Sequence, residues 1–142
     1  MPFVVPEERA MSGRIDALPM RGKALLPPWE VTRYEQDGIT MTGTFAPYYC
    51  GFRGAVHGGA LPLVFDHCFM LAARAFGRPL SRTARMEVDY RRLTPLNETL
   101  FATAEVEHVE GRKAFVTAKI HAGNHLVCES RGLMVALRPD QR

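Results

Sequence analysis

Residues 55–76 read AVHGGALPLVFDHCFMLAARAF, and from Gly58 to Ala73 almost every position is apolar except Asp66 and His67. The run is helix-length rather than strand-length. Leu61, Phe65, Cys68 and Ala72 fall on one side, while Leu63, Val64, Met70 and Leu71 fill the others. A helix that is apolar all round is expected to be buried. Pro62 falls within the first turn if the helix begins at Gly58 or Gly59, where a missing N–H costs little. Gly77 and Pro79 then end it. An ionised carboxylate inside such a segment is costly without a partner or access to water. Asp66 is therefore the residue that the rest of the chain must explain.

Strand grammar surrounds this helix. WEVTRYE and ITMTGTF flank QDG, a hairpin signal, and APYYCGFRGAV (46–56) reads as a loop. RTARMEVDYRRL (82–93) alternates, with Ala84, Met86, Val88 and Tyr90 expected on one face and Arg85, Glu87 and Asp89 on the other. TPLNE turns the chain, TLFATAEVEHV pairs through EGR with KAFVTAKIHA, and AGN leads to HLVCESRGLMVALR. The order is β-β-α-β-β-β-β, an α+β chain whose largely antiparallel sheet must wrap the helix with one face. Residues 1–28 read as an N-terminal arm, with a short helical possibility near 7–18 and prolines at 19, 27 and 28. Residues 29–142 form the expected domain.

The totals narrow the classes. At 142 residues, 46% hydrophobic and 23% charged, the chain has the make-up of one globular domain with an arm. The net charge of +3 is concentrated at Arg78, Arg82, Arg85, Arg91 and Arg92. Such a patch suits the phosphates of a small ligand and is too thin to argue for nucleic acid. Cys50, Cys68 and Cys128 include no C-x-x-C pair, so neither a zinc knuckle nor a disulfide framework is expected. MPFVVPEERA does not resemble a signal peptide, and the apolar segment is too short for a membrane span. The expected setting is a reducing cytoplasm, with no membrane partner.

The element order, the HGG that opens the helix, the acid nine residues after His57 and the strand VDYRRLTPL together resemble the hotdog-fold thioesterases. The branch they are most similar to is the phenylacetate-pathway (PaaI-like) acyl-CoA thioesterases, over about residues 30–138. The resemblance implies a sheet curled round a central helix, homodimers paired edge to edge and often paired again into tetramers, and two active sites across each dimer interface. It implies hydrolysis of an acyl-CoA with no cofactor and no metal. The N–H of Gly58 would polarise the thioester carbonyl, and Asp66 would attack it or activate water. Thr83 matches a Ser or Thr that assists the water in some members. Two positions depart from the pattern: Gly51 stands where many relatives carry Asn or Gln, and Leu93 stands where a proline is usual, with Pro95 two later.

The residues themselves support part of this. A helix N-terminus offers unpaired N–H groups and roughly half a positive charge, and Gly58 and Gly59 put no Cβ in a substrate's way. Asp66 lies ~12 Å along the axis from Gly58 at 1.5 Å per residue. One acyl group would struggle to meet both on a single helix, so a partner helix running antiparallel is favoured. The plainer reading of Asp66 is a core acid bonded to a strand or to Arg74. His57 reads as a loop-fixing residue or a hydrogen-bond partner at the site rather than a base. His67 and Cys68 point away from the acid's direction and read as packing, and His57, Asp66 and His67 lack metal-ligand spacing. Strict alternation places Thr83 with Arg85 and Glu87, away from the helix, unless a bulge turns it. Arg91 and Arg92 could grip coenzyme A phosphates. Tyr48, Tyr49, Phe52, Phe65 and Met70 would serve equally as acyl tunnel or core. The rival functions are a hotdog hydratase or dehydratase using His57 with the acid, and a non-catalytic acyl-CoA binding module.

Overall fold

Alternation in three long strands sets the architecture. In the computed structural model, which describes residues 26–141, β4 (Leu100–Glu110) turns Leu100, Ala102 and Ala104 inward. Its neighbour β5 (Lys113–Ala122) buries Ala114, Val116, Ala118 and Ile120, and β6 (His125–Ala136) buries Cys128, Ser130, Gly132, Met134 and Ala136. Small residues dominate this face, so a helix can sit close against it. The helix, α1 (Ala60–Phe76), does so with Leu61, Val64, Phe65, Cys68, Phe69 and Ala72. Phe65 and Phe69 stack with ring centroids 6.5 Å apart. Phe69 lies so close over Gly132 that a Cβ there would collide with its ring.

Two strands precede the helix, β1 (Glu30–Glu35) and β2 (Gly38–Gly43), and β3 (Ser81–Tyr90) follows it. The antiparallel sheet runs in the order β1-β2-β4-β5-β6-β3. The chain thus crosses the whole sheet through α1, and β3 becomes an edge paired on one side with β6. The expected element order holds, as do the helix bounds. Gly59 caps the N-terminus, and Gly77 ends the helix in the left-handed region at φ 99°. The arm expected over 1–28 lies outside the described residues except for 26–28, and so does the helical possibility at 7–18. Trp29, buried, closes the far end of the core over Gly43 and donates from Nε1 to the Thr44 carbonyl at 3.0 Å. No helix among the described residues is long and apolar enough to cross a membrane.

Two expectations need correction. Ala84 does not share the face of Met86 and Val88. The β3–β6 register slips between Thr83 and Arg85, so Ala84 bulges out to solvent and Thr83 turns in beside Met86 and Val88. The helix, in turn, is not buried all round. Six strands cover one side of it, and a stripe through Leu63, Asp66, His67, Met70 and Arg74 stays half-buried or exposed.

The Phe69–Gly132 contact carries a stability prediction. Gly132→Ala forces the ring or the strand to move, a type of overpacking that costs about 1–3 kcal/mol. Urea unfolding is expected to show a lower midpoint at an unchanged slope; an unaltered midpoint contradicts this packing.

Candidate active site

The helix tip is held by the loop before it. Two single 3₁₀ turns, Pro47–Tyr49 and Phe52–Gly54, are tied by short backbone bonds. The Gly51 N–H donates to Ala55 O at 2.7 Å, Val56 N–H to Thr94 O at 2.9 Å and His57 N–H to Tyr49 O at 2.7 Å. His57, Gly58 and Gly59 then emerge exposed. The Gly59 N–H donates to His57 Nδ1 at 2.9 Å, and the Ala60 N–H to the His57 carbonyl at 2.9 Å. The Tyr90 hydroxyl, from the end of β3, donates to the Gly58 carbonyl at 2.8 Å. The Gly58 N–H has no acceptor among the described residues.

The two glycines differ in what they answer to. A Cβ on Gly59 would press the His57 ring at 3.2 Å, whereas one on Gly58 would meet only the Tyr90 ring at an ordinary 3.6 Å. Gly58 is also absent from the glycines with positive φ. Neither packing nor backbone conformation within the chain demands a glycine at 58. Open access to its amide is the property that glycine adds there.

Asp66 is exposed rather than sealed in the core. Its Oδ1 accepts a hydrogen bond from the Thr83 hydroxyl at 2.6 Å, the contact that the β3 bulge makes possible. The plainer reading of Asp66 as a strand-bonded acid is met in its partner and fails in its burial. Thr83 Oγ1 also lies 3.2 Å from Met134 Sδ. His67, half-buried, has its pKa lowered, mainly by desolvation and slightly by Arg74, against the opposing pull of Asp66. Burial pushes the Cys68 thiol up to about 12, so no thiolate stands beside the acid.

A cleft of about 750 Å³ opens beside the helix tip, lined by His57, Gly58, Tyr90, Arg91 and Arg92 among others. Asp66 and Thr83 do not line it. The structure therefore gathers the expected residues in two groups: Gly58 with Arg91 and Arg92, and Asp66 with Thr83. Arg91 is committed to Glu129 at 3.1 Å and to Asp89 at 3.8 Å. Arg92 is exposed and makes no ion pair among the described residues. Sequence reasoning missed Tyr90: alternation only set it on the face of Met86 and Val88, and its position at the strand end frees its hydroxyl for the loop. Among the described residues no three His, Cys, Asp or Glu groups are placed to hold a metal ion.

The sequence matches the family model of the thioesterase superfamily over residues 53–129, from the helix-tip loop into β6. The chain belongs to the thioesterase superfamily. It is similar to the acyl-coenzyme A thioesterase THEM4 of Rattus norvegicus, 30% identical over 93 residues that cover 64% of this chain and 40% of that protein. The THEM4 of Xenopus laevis is 32% identical over 95 residues, covering 66% and 42%. The chain spans about two fifths of the length of the curated relatives it matches. Among solved structures, a mutant of the phenylacetic acid degradation protein PaaI from Thermus thermophilus aligns with a TM-score of 0.71 at 21% identity, covering 77% of this chain and 93% of that one. A hypothetical thioesterase with coenzyme A from Streptococcus pneumoniae aligns at 0.71 and 18% identity, covering 75% and 86%. These likenesses establish the hotdog fold.

The loop leaves no room for a side chain at Gly51. A Cβ there would lie 2.7 Å from the His57 Cα, a backbone atom that cannot swing aside. Gly51→Asn is expected to lower stability by about 1–3 kcal/mol. A thermal melt checks this: the midpoint should fall by several degrees, and an unchanged or raised midpoint contradicts the loop geometry.

Proposed function

We propose that residues 29–142 form an acyl-CoA thioesterase domain acting as a homodimer, each site combining the Gly58 N–H of one protomer with Asp66 of the partner subunit. The observation that carries this reading is an exposed carboxylate on a largely apolar helix, bonded to Thr83 and two helical turns from a free amide. Eight residues separate Asp66 from Gly58, or ~12 Å of helix, too far for one thioester carbon and its oxygen. An antiparallel partner helix brings a second copy of each group to the first. The β3 edge and the open helix stripe supply surface for that pairing, and two dimers could pair again.

In this mechanism Asp66 Oδ1 is held by the Thr83 hydroxyl, and the other carboxylate oxygen takes a proton from water. The water oxygen attacks the thioester carbon, and negative charge gathers on the carbonyl oxygen against the Gly58 N–H. A donor of this kind is worth about 3–4 kcal/mol of barrier elsewhere. The tetrahedral adduct collapses to the free acid, its C–S bond breaks, and the coenzyme A thiolate leaves with the proton held by Asp66. Arg92 is free to meet a coenzyme A phosphate at the cleft, while Arg91 first has to leave Glu129. His57 is poorly placed as the base of a hydratase. Its Nδ1 is occupied by the Gly59 N–H, so in the neutral ring the proton sits on Nε2.

Asp66→Asn is expected to leave the oligomer intact by size-exclusion chromatography. Its kcat on acyl-CoA, read by free-thiol release, should fall by about 10²–10⁴. Undiminished hydrolysis by the folded variant rules the role out. An assay of enoyl-CoA hydration alongside separates the thioesterase from the hydratase.

A further inference from the structure

We infer that Tyr90 and His57 are positioning residues that clamp the Gly58–Gly59 peptide from both edges and so aim the Gly58 N–H. The inference rests on the proposed oxyanion role of Gly58. A donor contributes most when it is already oriented, yet Gly58 and Gly59 are adjacent residues with the widest backbone freedom of any. Something must hold them.

A peptide unit is planar, and its C=O and N–H point to opposite edges. In the Gly58–Gly59 unit the C=O accepts from the Tyr90 hydroxyl at 2.8 Å and the N–H donates to His57 Nδ1 at 2.9 Å. Two bonds on opposite edges stop that plane from turning about the line joining the two Cα atoms. The preceding unit, His57–Gly58, is held by one edge only: its C=O accepts from the Ala60 N–H at 2.9 Å. Its other edge is the Gly58 N–H. Of the four amides from His57 to Ala60, three donate within the chain and only that of Gly58 remains without an acceptor among the described residues. The plane after the Gly58 Cα is therefore held on both edges and the plane before it on one, and the one free donor points in a direction that these bonds set.

The two jaws come from different places. His57 lies in the loop and accepts from the amide two residues on, the geometry of an Asx-turn with an imidazole in place of the amide oxygen. Tyr90 reaches over from the edge strand, 32 residues later in sequence, and its ring is half-exposed, 53%. It is not needed to fill the core. The hydroxyl is its specific contribution, and it ties the helix tip to the same strand whose bulge delivers Thr83 to Asp66.

The test compares Tyr90→Phe, His57→Ala and His57→Asn with the parent protein in two readouts. In steady-state thiol release, Tyr90→Phe should lower kcat roughly tenfold with KM within about twofold, since misplacement of a donor by an ångström can cost up to ~10²-fold. His57→Asn, which keeps an acceptor at nearly the same place, should retain most of the activity that His57→Ala loses. Without substrate, ¹⁵N relaxation of the Gly58 and Gly59 amides should give order parameters near ~0.85 in the parent, falling toward ~0.6 in Tyr90→Phe and His57→Ala. An unchanged kcat in Tyr90→Phe, a change in KM alone, unchanged order parameters, or equal damage from His57→Asn and His57→Ala each overturn the clamp. A parent protein that releases no thiol refutes the thioesterase reading instead, and the order parameters then still decide whether the clamp exists.

Discussion

A 17-residue helix with this many apolar side chains must be covered, and six strands of one chain can cover only one side of it. Most of the molecule follows from that constraint. The covering strands present alanine and glycine inward so that the helix can lie close, and Phe65 and Phe69 fill the space that the small residues leave. The opposite stripe is left with leucine, methionine and a carboxylate at the surface. An apolar stripe interrupted by a charge is poor solvent surface, and it is a good wall for a site shared between two copies.

The same economy of elements joins fold to chemistry at β3. Because α1 carries the chain across the sheet, β3 becomes an edge, and edges tolerate bulges. The bulge at Ala84 turns Thr83 toward Asp66, and the far end of the strand sends Tyr90 to the helix tip. One strand thus reaches both Asp66 and Gly58 of its own protomer, although those two residues lie too far apart to serve one substrate. In the proposed dimer each belongs to a different site.

Much of this was legible in the sequence. A continuous apolar run of helical length, Pro62 near its start and Gly77 at its end bound the helix, and glycine turns marked the hairpins. The HGG stretch pointed to the tip, and a charged residue where none should be pointed to Asp66. What escaped the sequence has a common cause. Alternation assumes an unbroken pleat, so the bulge reversed the expected faces of Thr83 and Ala84. The same rule set Tyr90 on the face of Met86 and Val88 and gave no sign that its hydroxyl serves the loop. The engagement of Arg91 depends on cross-strand register, which sets Asp89 opposite Glu129, and no local pattern reveals that. The open helix stripe is likewise a property of how many strands the sheet has, not of the helix.

The central claim is that one site needs two chains, and mixing two inactive dimers tests it most directly. Asp66→Ala removes the acid, and Gly58→Pro removes an amide hydrogen that bonds nothing within the described chain. Folded dimers of each variant, inactive alone, are mixed, exchanged through mild denaturant and assayed for thiol release. If the site is shared, each mixed dimer regains one intact site, and random mixing should restore about a quarter of the parent rate per protomer. No recovery, with mixed dimers demonstrated by mass spectrometry, would mean that each protomer works alone, and the account would be wrong.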